Sequence, residues 1–309
     1  MAFGAAALAL LILTPCLFQP VDVTGNPGLC LPAPNLWHLG RAGGWLLNTL
    51  LILLSTALIA AANKKLNFVP EDYSALSLGM LLLLACNPVT TFTLSTSTLL
   101  LLCNVLSLYI IFSTYEARNA TREFFIAGTL PAIGAMCQYA FLVMIPVYIG
   151  AGLLMKSFRI KELIAFFFGL AAPYWILIGL GIVSPMDFRL PDSLSVINRG
   201  DVGEELFFSL LETGIMALIG CILALYNGVR LFSRNSRLRC IHMSLNFMGF
   251  LSVAAVIFDF SNFPAYFGSI ALWLAVEVAL LLHLYEIRRP QIAMLILYLV
   301  FIPLFILAL

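Results

Sequence analysis

The 309-residue sequence predicts an all-α membrane protein: a polytopic bundle of about eleven transmembrane helices in a single domain, 1–309. Two observations carry that expectation. Hydrophobic residues make up 62% of the chain and charged residues 10%, against roughly 45–50% and 25% in an ordinary soluble domain. So few charges cannot cover a water-soluble surface. The apolar sequence also falls into runs near the roughly 20 residues that a bilayer crossing needs. These runs lack the period-two alternation of barrel strands, so helices are the remaining way to pair every backbone amide in hydrocarbon. The net charge of +1 balances 16 Lys and Arg against 15 Asp and Glu. No excess of either sign argues for a nucleic-acid partner.

Apolar runs and the polar breaks between them place helices at 2–19, 44–62, 73–87, 97–114, 124–137, 140–155, 163–183, 207–228, 243–259, 265–285 and 292–308. The first is expected to be a retained span. No Lys or Arg precedes it, and in Leu13-Thr14-Pro15-Cys16 a proline stands where a lipoprotein cleavage site needs a small residue. The stretch from Arg122 to Lys156 is too long for one crossing and tight for two. Reading it as two short helices collects Lys64, Lys65, Arg118, Arg122, Lys156, Arg159, Lys161, Arg230, Arg234, Arg237, Arg239, Arg288 and Arg289 on one side, leaving Arg41, Arg189 and Arg199 opposite. That 13-to-3 split satisfies the positive-inside rule, and a single crossing would break it. The expected topology has a cytoplasmic N-terminus and an outer C-terminus, in the inner (cytoplasmic) membrane. Gly128, Pro131, Gly134, Pro146, Gly150 and Gly152 predict a kinked, closely packed helix pair with Gln138 and Tyr139 at its outer turn.

Polar chemistry concentrates in two long outer loops and in a few intramembrane acids. The loop 20–43 holds Asp22, Asn26, Asn35, Trp37, His38 and Arg41 among four prolines, which favour an ordered lid; Trp37 and Trp45 also read as interface anchors. The loop 184–206 holds Asp187, Arg189, Asp192, Asn198, Arg199, Asp201, Glu204 and Glu205. Asp22, isolated at the membrane edge, is the candidate catalytic base, and Arg189 and Arg199 are candidates for holding a phosphate. Glu277 lies near the middle of its span, where an ionised acid costs about 2.5–3.5 kcal/mol. It needs a proton, a watery cavity or hydrogen bonds from residues such as Asn104 or Ser107. Glu212 follows Glu205 by one heptad on the same helix face, and Asp259 closes the ninth helix at the outer edge. His283 lies about 240° round the helix from Glu277 and reads as interfacial.

The seven cysteines form no CxxC pair and no Cys/His cluster with metal spacing, so no metal site is expected. Cys16 and Cys30 could meet on the outer face, and Cys240 is expected as a free thiol in a basic cytoplasmic loop beside His242. No P-loop, dinucleotide fingerprint, HExxH or GxSxG occurs, and the sequence names no cofactor.

The run Tyr115-Glu116-Ala117-Arg118, then Arg122-Glu123-Phe124-Phe125-Ile126-Ala127-Gly128, a short outer turn and the return through Ile145-Pro146 to Lys156 resembles the layout of membrane-embedded GT-C glycosyltransferases. The stretch 113–175, including Phe166-Phe167-Phe168-Gly169-Leu170-Ala171-Ala172-Pro173-Tyr174, also resembles uncharacterised Bacteroidota multi-pass inner-membrane proteins. The GT-C resemblance implies a polyprenyl-phosphate-linked sugar donor used in envelope glycan assembly. It makes Asp22 the base and Arg189 or Arg199 the phosphate ligand, with Glu212 beneath the site. That family commonly carries paired acids where Asp22 is followed by Val23-Thr24. Two other functions fit the sequence: a transporter or lipid-handling permease using Glu277 and Glu212 as coupling or substrate residues, and a noncatalytic membrane subunit. Membrane lipids are the one partner common to all three.

Overall fold

The computed structural model describes residues 28–37, 39–69, 73–91, 94–188, 204–231, 235–285, 292 and 301. Among them the chain is entirely helical, with no strand. The expected first span, the last span apart from residues 292 and 301, and most of the 184–206 loop lie outside the described residues. Five helices are long and apolar enough to cross a membrane: Ala42–Leu66, Ile160–Gly179, Phe207–Arg230, Ser236–Phe258 and Phe263–Leu284. Shorter apolar helices accompany them, and the protein is a membrane-type helical bundle.

In chain order the helices are α1 (Gly40–Leu66), α2 (Tyr73–Ala85), α3 (Pro88–Thr91), α4 (Thr96–Phe112), α5 (Thr121–Cys137), α6 (Ala140–Val143), α7 (Ile145–Leu154), α8 (Ile160–Gly179), α9 (Glu204–Leu231), α10 (Ser236–Phe258) and α11 (Phe263–Leu284). Two depart from expectation in ways that matter. The span expected at 140–155 is broken at Met144, because Pro146 near the start of α7 has no N–H to continue the ladder from α6. α10 starts seven residues before the expected position 243. Asn235 caps it by accepting from the Arg237 amide at 3.1 Å, and Arg237 and Arg239 extend the helix beyond the apolar run. Cys240 and His242 are therefore helical, not in a loop.

The centre of the bundle is α11. Ala265 through Leu280 are buried without interruption, a pattern expected only of a helix surrounded by others. α9, α10, α4 and α2 pack round it; α1 covers α2 and α4, α7 packs on α10 and α4, and α5 packs on α4 from one side and α8 from the other. Trp273 is the largest buried side chain, and glycines make its space. A Cβ at Gly249 of α10 would fall 2.0 Å from the indole Cδ2, and one at Gly220 of α9 would fall 2.9 Å from Cζ3.

The α5–α8 pair uses the same device reciprocally. A Cβ at Gly128 would lie 2.3 Å from the Phe166 carbonyl oxygen, and one at Gly169 would lie 2.1 Å from that of Phe125. The close approach expected of Gly128 is thus made to α8, while Gly134 meets Phe141 and Gly152 meets Phe124. The outer face of α8 leaves Ile164, Phe167, Phe168, Trp175 and Ile176 exposed, as a lipid-facing helix does.

The basic residues gather at one end of this bundle. Lys65 donates to the Tyr109 hydroxyl at 3.0 Å, Lys156 lies 3.5 Å from Glu116, and Tyr115 and Ser236 share a 2.9 Å hydroxyl hydrogen bond. Arg237 lies over Tyr115 and Arg230 over Tyr226. The Glu116 amide donates to the Met155 carbonyl at 3.0 Å, so the chain between them leaves through α5 and returns through α6 and α7 to the same end. At the opposite end Asn48 donates to the Thr90 carbonyl at 2.8 Å and Asn87 to Ser209 at 2.7 Å.

Gly169→Ala is expected to drive a Cβ into backbone and destabilise the fold by about 1–3 kcal/mol. Gly179→Ala, where a Cβ meets nothing within 4 Å, should unfold like wild type. Reversible unfolding in mixed micelles checks both; equal midpoints would rule out the tight α5–α8 contact.

Candidate functional site

A carboxylic acid in hydrocarbon is tolerated when neighbouring helices supply polar partners, and Glu277 has one on each of two sides. It is fully buried on α11. Asn227 of α9 donates through Nδ2 to Glu277 Oε2 at 2.7 Å and to the Glu277 carbonyl at 2.9 Å. His242 of α10 brings Nε2 to 2.7 Å from Glu277 Oε1. This is an ion-pair distance without in-line hydrogen-bond geometry, since neither atom completes a hydrogen bond. Asn104 and Ser107, the donors expected from the sequence, lie elsewhere: Asn104 donates to Ser269 at 2.7 Å and accepts from Tyr148, and Ser107 faces Cys103.

The network continues through α10. Trp273 Nε1 donates to Asn246 Oδ1 at 2.8 Å, and Asn246 Nδ2 lies 3.3 Å from His242 Nδ1. The indole nitrogen can only donate, so it fixes Asn246 with its oxygen toward Trp273 and its amino group toward His242. Nδ1 must then accept, which assigns the ring proton to Nε2, on the side of Glu277. Asn227 donates to one carboxyl oxygen of Glu277, and the His242 ring lies 2.7 Å from the other.

Further polar contacts follow the same stripe of the central helix. At 3.6 residues per turn, Tyr266, Ser269, Trp273 and Glu277 lie within about 80° of one another. Tyr266 donates to Asp259 at 2.8 Å, and Asn262 donates to the same carboxylate at 2.9 and 3.1 Å. Gln138 donates to Asn262 at 3.0 Å and accepts from Thr96. Asp259, expected at the end of its helix, is thus the acceptor of a buried cluster there. Gln138 is a buried part of that cluster.

A groove of about 530 Å³ opens between α9 and α10, lined by Ala224, Leu225, Gly228, Val229, Asn246 and Phe250. Five of these six side chains are apolar or absent. Asn246 is the polar one, and it touches both His242 and Trp273. The lipid-facing surface therefore reaches the buried network through one amide.

Glu212, the other intramembrane acid, behaves differently. It is fully buried on α9, and neither carboxylate oxygen has a hydrogen-bond partner among the described residues. Glu212 and Glu277 are not brought together: fifteen residues of α9, about 22 Å of helix, separate Glu212 from Asn227. Asp22, Arg189 and Arg199 lie outside the described residues, as does Cys16. Glu205 lies in the first turn of α9. The residues that sequence reasoning missed are His242, Asn227 and Asn246. The spacing of His242 and Asn246, one turn apart beyond a good N-cap at Asn235, was the available signal. Comparison of the chain with family models, with curated proteins and with solved structures finds no match.

His242→Ala is expected to cost about 1–3 kcal/mol by removing the buried polar partner of Glu277 and Asn246. Glu212→Leu should instead raise the unfolding midpoint, because it removes a buried acid that has no donor. Steric trapping in bicelles measures both; a neutral His242→Ala would mean that the pair does not form.

Proposed function

We propose that this chain is a lipid-handling permease in which Glu277 and His242 form the proton-carrying centre and the α9–α10 groove gives lateral access from the bilayer. One observation carries the reading: Asn246 belongs both to the groove and to the chain of polar contacts that reaches Glu277 through the His242 ring. A molecule with an apolar body and one hydrogen-bonding head group matches that lining. Its head group would compete with Trp273 and His242 for the amide. Release of Asn246 frees His242 Nδ1 to take a proton, which neutralises the site, and loss of that proton restores the resting arrangement. Cancelling a buried charge changes the cost of the surrounding packing, and this couples occupancy to conformation.

The proposed topology has eleven spans, with a cytoplasmic N-terminus, an outer C-terminus and the basic end of the bundle at the cytoplasmic face of the inner membrane. The gathering of Lys65, Arg118, Arg122, Lys156, Arg159, Lys161, Arg230 and Arg237 supports that orientation under the positive-inside rule. An ionisable residue inside a membrane span is by default a functional-site candidate. The transferase reading depends on Asp22, Arg189 and Arg199, on which none of the observed geometry bears.

Proteoliposomes carrying fluorescent phosphatidylglycerol in both leaflets, treated with an impermeant quencher, test the permease. Wild type is expected to expose the inner-leaflet probe faster under an imposed pH gradient than protein-free vesicles do. Glu277→Gln and Asn246→Leu should bring the rate to the protein-free level, while Gly179→Ala should retain it. A wild-type rate equal to that of empty vesicles overturns the proposal. Loss of lipid-linked sugars in a deletion strain, restored by wild type and not by Asp22→Ala, would favour the transferase instead.

A further inference from the structure

Another groove lies at the basic end, between the N-terminal parts of α5 and α8. It encloses about 560 Å³ and is lined by Thr121, Arg122, Phe125, Lys161, Ile164, Ala165 and Phe168. Its polar and apolar parts are segregated. Arg122 and Lys161 each follow the first residue of their helix by at most one position, so both cations lie at the mouth. Phe125, Ile164 and Phe168 lie further along, toward the hydrocarbon.

The two cations differ from four of their neighbours. At this end Lys65 and Arg230 lie on tyrosines, Arg237 lies on Tyr115, and Lys156 pairs with Glu116. Arg122 and Lys161 have no ion pair or hydrogen bond from their side chains among the described residues, and both are exposed. The nearby acid does not serve them. Glu162 is buried, with its carboxylate turned to the Arg159 amide at 3.3 Å and the Ala120 amide at 3.5 Å. The groove walls are also rigid, because the Gly128 and Gly169 contacts hold the two helices at backbone distance one to two turns away.

We infer that this groove is a docking site for an anionic glycerophospholipid of the adjoining leaflet, with Arg122 and Lys161 on the phosphate and one acyl chain along Phe125, Ile164 and Phe168. Charge complementarity selects the head group: two unengaged cations at a membrane surface attract an anionic lipid and leave a zwitterionic one without advantage. The apolar limb selects a lipid over a free anion. Guanidinium and ammonium are both expected to work here, the first as a fork and the second as a point charge. This site is independent of the permease proposal, since it shares no residue with the α9–α10 groove or the Glu277 network.

Native mass spectrometry of the full chain, titrated in detergent with phosphatidylglycerol, phosphatidylcholine or inorganic phosphate, tests it. Wild type is expected to retain phosphatidylglycerol selectively. Arg122→Ala with Lys161→Ala should weaken that binding about thirtyfold, the equivalent of about 1 kcal/mol for each cation. Arg122→Lys with Lys161→Arg should restore it, and Phe168→Ala should weaken phosphatidylglycerol without creating phosphate binding. Both cations are exposed, so circular dichroism and the unfolding midpoint should match wild type. Equal retention by the double alanine variant, equal binding of phosphatidylcholine, or full competition by inorganic phosphate would each overturn the inference.

Discussion

A carboxylate at the centre of a helix that no solvent reaches imposes conditions on every helix around it. α11 is buried along nearly its whole length, so Glu277 cannot snorkel to water, and its ionised form has to be matched by donors that arrive from other helices. Asn227 comes from α9 and His242 from α10, which fixes the rotation of both helices about their own axes. Trp273, one turn earlier on α11, then holds Asn246 and through it the tautomer of His242. One acidic side chain thus sets the register of three helices.

Steric constraints act on the same residues. Trp273 can donate to Asn246 only because Gly220 and Gly249 leave room for the indole between α9 and α10. Hydrocarbon offers no hydrophobic drive for helix association, so such contacts rest on close packing and on interhelical hydrogen bonds. The α5–α8 pair rests mainly on the first, with reciprocal glycines and one long polar contact at its end, from the Ala120 amide to Glu162 at 3.5 Å. The α9–α11 and α10–α11 pairs combine both. Among the described residues Glu212 has no donor, and burial of an acid without one is a cost to the fold.

Much of the architecture was legible from residue periodicity and charge. Helices α1, α4, α5 and α8 begin and end within about four residues of their expected bounds, because a bilayer-length apolar run closed by a polar break has few other solutions. The stretch 122–156 was also readable, since Pro131, Pro146 and the glycines mark a short pair and the flanking cations have to share one side. α10 was misread at its start. Arg237, Arg239 and His242 lower the local hydropathy, yet Arg and His are adequate helix formers, and the Asn235 cap outweighs their polarity. That error moved His242 into a loop and hid the partner of Glu277.

Composition and the position of scarce charges determined the class of protein, the side on which its cations gather and the candidacy of Glu277. These follow from transfer energies that depend only on residue type and run length. Which groups satisfy Glu277, why Glu212 is left without a donor and where a lateral groove meets a polar side chain were decided by tertiary structure. Asn104 and Asn227 are chemically identical as donors, and the rotation and crossing of packed helices bring only Asn227 to the carboxylate.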